Sequence, residues 1–270
     1  MAEGLQGVIL TFFSTSSAVG KTLVSCNIAS ELAREGARVC LVDLDLQFGD
    51  ARYYLHLSPE RTVYDWQEAL KRNKGASVMN CLTEYSYRNV HFALLSSPLK
   101  LEQAYNIDVE AMQKAVLQLR EEFDYVVIDT SSTFSALNLA MLDMATLVLF
   151  LGIVDFIPTI RNMKVGHETL KSLNYDRSKI RLVLNRMGAK TRISREDVER
   201  LLDEKFYHVL PNDFRAASAS LRDGVPLVLA DPRAPLAVSL RDLVNRCLNR
   251  TGVTEAEAEE GGSWLKRIFR

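Results

Sequence analysis

The chain has 270 residues, 47% hydrophobic and 25% charged, with a formal net charge of −1. That is ordinary globular composition, enough for one large α/β domain or two small ones, and it supplies no global basic field that would draw the chain to nucleic acid. The longest apolar run, 137–154, is interrupted by Asn138, Asp143 and Thr146 before it reaches the ~20 residues needed to span a bilayer. Four scattered cysteines (Cys26, Cys40, Cys81, Cys247) lack metal-ligand spacing. Three of them sit in apolar patterns and read as reduced core residues of a cytoplasmic protein, and no signal-peptide pattern is present.

The first predicted element is a buried strand, Val8–Phe13. It runs into Ser14-Thr15-Ser16-Ser17-Ala18-Val19-Gly20-Lys21-Thr22 and then a helix over 22–35 with an apolar stripe. Strand, tight loop, Gly-Lys-Thr and helix suit an anion. Loop N–H groups and the helix N-terminus would face it, Lys21 would add a mobile positive charge, and the Thr22 hydroxyl could hold Mg²⁺. The loop is poor in glycine, since Thr15 stands where the first glycine of G-x-x-x-x-G-K-[ST] belongs. The alternative is an ordinary strand–turn–helix corner with a solvated lysine.

The second strand, 38–42, leads into Asp43-Leu44-Asp45-Leu46-Gln47-Phe48-Gly49-Asp50. Ligands of open α/β sheets bind at the carboxyl ends of the strands, which would set Asp43 and Asp45 beside Lys21. Carboxylates there could hold Mg²⁺-bound waters or orient an attacking water, or they could be caps and turns of a polar strand end. A helix over 62–73, a strand over 90–95 and a helix over 108–122 follow. The strand 125–128 then closes on Asp129, an Asp at the end of an apolar strand that can support Mg²⁺ directly or through water. Further on come helix 134–143, strand 146–151, helix 158–173, strand 180–184, helix 194–205, a short strand 208–210 and a last helix over 234–250. Alternation at this spacing predicts an α/β fold with a mostly parallel sheet covered on both faces, one domain over 1–250.

Residues 251–262 are acidic and small and read as a flexible tether. In the tip 263–270, helical spacing puts Trp264, Leu265, Ile268 and Phe269 on one face, with Lys266, Arg267 and Arg270 on the rest. That pattern fits a membrane-surface anchor or a peptide for a partner's groove, or a tail helix docking back on the body. Eight residues make a weak anchor alone, and dimerisation would strengthen it through effective concentration.

The order of these pieces, above all 42–50 and Asp129-Thr-Ser-Ser-Thr-Phe-Ser-Ala-Leu-Asn138, resembles the MinD/ParA family of deviant Walker A ATPases. Within it, the pieces resemble the CpaE/TadZ branch of type IVb (tight-adherence) pilus assembly, over residues ~5–250. The resemblance implies a three-layer α/β/α P-loop NTPase fold that binds ATP and Mg²⁺. It implies a homodimer around the nucleotide, peripheral on the bacterial inner membrane, that positions pilus-assembly or other machinery; DNA is not an expected partner. The family pattern K-G-G-x-G-K-T falls on 16–22. By that resemblance the amides of Ser17, Ala18, Val19 and Gly20 cradle phosphate oxygens and Lys21 contacts the β/γ-phosphates. Thr22 ligates Mg²⁺, with Asp43 and Asp129 on the metal side, and Asp45 orients the water. Asn185 reads adenine, next to Arg186, and Pro211 belongs to the loop that packs by the base. An Asn after a strand is also a common turn former. Arg161 fits a helix face turned to the partner subunit, or a solvated arginine.

The departure is Ser16, where the family has a lysine that crosses the dimer to the other subunit's phosphates. Losing one such donor to developing phosphate charge typically costs ~10²–10³ in rate. Slow hydrolysis, or a non-hydrolysing localisation scaffold, is therefore expected beside the ATPase switch. A septum-site or flagellar-number ATPase of the same family is a third expectation, resting on the tip.

Overall fold

Six consecutive buried residues, Val8–Phe13, form β1 at the middle of an eight-stranded sheet in a computed structural model that describes residues 6–155, 157–175, 178–188 and 193–248. The predicted tether 251–262 and tip 263–270 lie outside the described residues. After β1 come α1 (Lys21–Arg34), β2 (Val39–Leu44), α2 (Ala51–Tyr54) and α3 (Val63–Arg72). The hairpin β3 (Thr83–Tyr87) and β4 (Val90–Leu95) is followed by α4 (Leu101–Ala104), α5 (Val109–Glu122), β5 (Tyr125–Thr130), α6 (Ala136–Met144) and β6 (Leu147–Gly152). The last part holds α7 (Ile157–Ser172), β7 (Ile180–Met187), α8 (Arg195–Leu202), β8 (His208–Pro211), α9 (Phe214–Asp223), α10 (Leu227–Ala230) and α11 (Pro235–Cys247).

The sheet order is β3-β4-β2-β5-β1-β6-β7-β8, and every pairing is parallel except β3 with β4. Alternate residues feed two cores, as strands buried on both faces must. Leu10 and Phe12 of β1, with Leu41, Val127 and Leu149, pack under α1, α10 and α11. Ile9 and Phe13, with Val42, Ile128 and Phe150, pack under α3, α5, α6, α7 and α8. The result is a three-layer sandwich. All four cysteines are buried and free.

Three strands run two or more residues past the ends expected from sequence. β2, β5 and β7 run on through Asp43, Asp129 and Asn185, which polarity alone marks as loop. The ladder continues because Asp43 and Asp129 lie opposite each other in the β2–β5 register, so both carboxylates are set by sheet geometry. β3 was not predicted. It is a half-buried edge strand that turns into β4 through the two-residue loop Arg88-Asn89, with Arg88 in the left-handed region.

Candidate functional site

Five of the longer helices are capped by their own side chains: Thr62 for α3, Asp108 for α5, Ser135 for α6, Ser194 for α8 and Asp213 for α9. α1 is different. Gly20 is its N-cap, no side chain caps it, and its first turn holds no acidic residue. The amides at the start of a 14-residue helix are thus left for an anion. Gly20 has φ 95°, outside the range an L side chain accepts without strain, and a Cβ there would lie 2.6 Å from Asn185 Nδ2.

Lys21 and Thr22 open α1. Lys21 is only 8% exposed, and its ammonium donates to Ser132 Oγ at 2.8 Å. Thr22 Oγ1 donates to Asp129 Oδ2 at 2.6 Å. The other Asp129 oxygen, Oδ1, is buried with no partner. Burial raises the Asp129 carboxyl to about 7, against the lowering effects of the Thr22 hydrogen bond and the Lys21 charge. Asp43 Oδ1 accepts the Asp45 N–H at 3.1 Å, and its Oδ2 accepts from the Ala51 N–H and Ser97 Oγ, both at 3.3 Å. Burial first, then the charges of Asp129 and Asp45, pushes Asp43 well above the usual carboxylate range. Gly49 lets the chain fold back over it, since a Cβ there would collide with Ser97 Oγ. Asp45 sits half-buried just past the end of β2.

Two neighbouring buried carboxylates held above their ordinary range mark a place short of positive charge. The donors fit Mg²⁺: the Thr22 hydroxyl, the unpartnered Asp129 Oδ1 and no nitrogen or sulfur. Among the described residues no cluster of three His, Cys, Asp or Glu could hold an ion alone. A cation here would complete its shell with water and phosphate oxygens, as Mg²⁺ commonly does.

The glycine-poor front of the loop is tied down from three sides. Thr15 Oγ1 donates to the Asn162 carbonyl of α7 at 2.8 Å, and its methyl fills the notch at Gly166, where a Cβ would collide with it. The Ser16 carbonyl accepts from Ser14 Oγ at 3.0 Å and from Ser132 Oγ at 2.9 Å, while Ser16 Oγ is buried without a partner. Ala18 takes φ 57°, and its carbonyl accepts from Arg186 Nη2 at 2.7 Å. Ser17 is exposed and Val19 is buried.

The other predicted site residues stand at the same sheet edge. Asn185 is buried at the end of β7. Its Nδ2 donates to the Val19 carbonyl at 2.8 Å and its Oδ1 accepts the Arg186 N–H at 2.9 Å, which leaves one N–H and one lone pair for a ligand. Arg186, also at φ 57°, lies 3.9 Å from Asp155. Pro211 ends β8. Arg161 is exposed on α7. Sequence reading missed Ser132, Ser97 and Asn138. Asn138 is buried, and its Nδ2 donates to Ser131 O, Ser131 Oγ and Thr133 O at 3.2, 2.9 and 2.7 Å, clamping the loop that carries Ser132.

Comparisons with known proteins bear on the family and the fold. A family model described as the CobQ/CobB/MinD/ParA nucleotide binding domain matches residues 10–227. The septum site-determining protein MinD of Helicobacter pylori is 29% identical across 98% of this chain and 100% of its own length. The cell division protein PomZ of Myxococcus xanthus is 25% identical across 93% of this chain and 81% of its own. In fold, a ParA family ATPase from Chlorobium tepidum superposes with a TM-score of 0.79 at 21% identity, covering 88% of this chain and 98% of that one. The Pyrococcus horikoshii septum site-determining protein MinD, solved with Mg-ADP, gives 0.77 at 20% identity, covering 91% and 98%. The family match spans well over half of the chain. The chain belongs to the MinD/ParA family of P-loop nucleotide-binding proteins.

Proposed function

We propose that the chain is an ATP-binding switch with weak ATPase activity, which closes as a homodimer around ATP and positions a membrane-associated machine. The observation that carries this reading is the joined set Lys21, Thr22 and Asp129 at an uncapped helix start. The loop amides from Ser17 to Thr22 bind phosphate oxygens and Lys21 meets the β/γ-phosphates. Thr22, Asp129 and, behind them, Asp43 hold Mg²⁺, which neutralises phosphate charge when bound. Asp45 accepts from and orients the attacking water. Asn185 offers its remaining N–H and lone pair to the base, flanked by Arg186 and Pro211.

Three large apolar residues support closure against a second copy. Phe48, Ile157 and Phe214 are 73%, 74% and 78% exposed, and each follows the carboxyl end of a parallel strand, so all crowd the nucleotide edge. Arg161 lies one turn beyond Ile157 on α7 and faces the partner in this arrangement. The machine we favour is a type IVb pilus apparatus, from the 42–50 segment, with Gly49 folded over Asp43. The tip 263–270 holds the dimer on the inner membrane. Ser16 supports a second reading, a scaffold that binds ATP without hydrolysing it. Its neutral, buried hydroxyl cannot replace a crossing ammonium.

Steady-state ATP turnover with and without anionic liposomes tests both readings, with Asp45→Ala and a chain lacking residues 263–270 beside the parent. We expect slow turnover that Asp45→Ala abolishes, and lipid binding in ATP that the deletion abolishes. Turnover unchanged by Asp45→Ala removes the catalytic assignment. ATP binding with no turnover in any form selects the scaffold.

A further inference from the structure

Lys21 is a nearly buried cation; its charge acts on Asp129, but among the described residues no carboxylate lies within ion-pair distance of it. Its acceptor is a neutral hydroxyl, Ser132 Oγ at 2.8 Å. That hydroxyl is used twice, because its own O–H donates to the Ser16 carbonyl at 2.9 Å. A single side chain therefore joins three pieces: the lysine of α1, the front of the P-loop and the loop that leaves β5 after Asp129. Its position is not left to a mobile loop. The residues on either side of it, Ser131 and Thr133, are clamped by the buried Asn138 of α6.

We propose that Ser132 is a positioning residue that stands in for phosphate. In the nucleotide-free protein it supplies the oxygen that Lys21 lacks and pins the ammonium over the loop. A bound phosphate takes over that role and releases the link between the P-loop and the β5–α6 loop. The inference rests on the ATP-binding reading above.

The physical basis is a difference between two acceptors. A hydroxyl offers a buried ammonium a neutral lone pair, whereas a phosphate oxygen offers a charge-assisted bond, shorter and about twice as strong. The Ser132 contact therefore matters most when no phosphate is present. Removing it raises the free energy of the empty site more than that of the filled one, because an under-satisfied buried cation is costly. By linkage, loss of the hydroxyl lowers the stability of the empty protein and tightens nucleotide binding together. A hydroxyl that served only to pack the loop would affect both forms equally. Ser132 is half-buried, so its replacement removes no core contact.

The test uses the full chain as parent, Ser132→Ala, Ser132→Thr and Ser132→Cys. Thermal melting is measured without nucleotide and in saturating Mg·ADP, and the dissociation constant for ADP is measured by calorimetry. Ser132→Ala should melt lower than the parent when empty and level with it when saturated, and should bind ADP roughly three- to tenfold more tightly. Ser132→Thr keeps the hydroxyl and should match the parent. Ser132→Cys, a weaker acceptor, should fall between and keeps the test alive if Ser132→Ala folds poorly. An equal melting deficit in both conditions, or weaker ADP binding in Ser132→Ala, overturns the proposal. A parent that binds no nucleotide overturns the ATP-binding reading itself. The two failures are therefore told apart by the parent alone.

Discussion

The two halves of the loop between β1 and α1 are held in opposite ways. The back half, Val19 to Thr22, relies on its own backbone and on carboxylate chemistry. Gly20 takes φ 95° against the Asn185 amide, α1 starts without a side-chain cap, and Thr22 reaches a buried Asp129. The front half, Ser14 to Ala18, has lost its glycines and is held by neighbours instead: Asn162 and Gly166 of α7, Ser132 of the β5–α6 loop, and Arg186 at the end of β7. The difference teaches where glycine is dispensable in such a loop. It can be replaced where the surroundings offer a notch or a donor, and not where φ lies beyond the left-handed well and a side chain presses on the Cα.

The largest effect expected lies in the back half. Burial raises Asp129 to about 7, above its value in an unfolded chain. A carboxyl raised in this way contributes stability that is full at low pH and is lost as pH rises through the folded value. Without metal or nucleotide, the parent should thus lose about 2–3 kcal/mol relative to Asp129→Asn between pH 5 and 8, the part of the shift lying within that window. Urea unfolding of both proteins in chelator gives the difference. His208 titrates the other way, its burial lowering it to about 4, but it is common to both proteins and cancels. Parallel pH curves for parent and variant would show that Asp129 is already charged at pH 5 and that burial does not raise it.

The next effect belongs to the front half. A methyl at Gly166 would collide with the Thr15 methyl, so Gly166→Ala should cost about 1–3 kcal/mol by overpacking. Thr15→Ser removes that methyl yet keeps the hydroxyl that donates to Asn162. The double variant should therefore recover about 1 kcal/mol or more, a coupling read from a four-member unfolding cycle. Simple additivity would mean that Gly166 is not what accommodates the missing glycine.

How much of this was legible follows the same division. Lys21, Thr22, Asp43 and Asp129 could be found because each sits in a local pattern, a strand end or a helix start, and the sheet brings those patterns to one edge. The strand ends themselves were read too short, since an Asp or Asn closing an apolar run looks like a loop even when the ladder continues through it. β3 was missed because Thr83-Glu84-Tyr85-Ser86-Tyr87 buries only Tyr85; the signal for it was the alternation before a two-residue turn. Ser132, Asn138 and the Thr15–Gly166 contact were out of reach. They are side-chain contacts across 5 to 151 positions of chain, to hydroxyls, backbone carbonyls or a notch, and no periodic pattern records them.

The smallest effect separates strain from function within the front half. Ala18 and Arg186 both stand at φ 57°, and the Arg186 guanidinium donates to the Ala18 carbonyl at 2.7 Å. The left-handed region costs an L residue roughly 1–2 kcal/mol, and glycine's larger unfolded-state entropy offsets about 0.5–1 kcal/mol of any gain. Ala18→Gly should therefore raise stability by about 0.5 kcal/mol, measured by urea unfolding. The gain should shrink in an Arg186→Ala background, where the carbonyl is no longer held and Ala18 can relax towards negative φ. If Ala18→Gly instead destabilises by about 1 kcal/mol, the methyl is a packing contact rather than a strained remnant. In that case the front of the loop is built around its alanine, and the missing glycines are a feature of the site and not a concession within it.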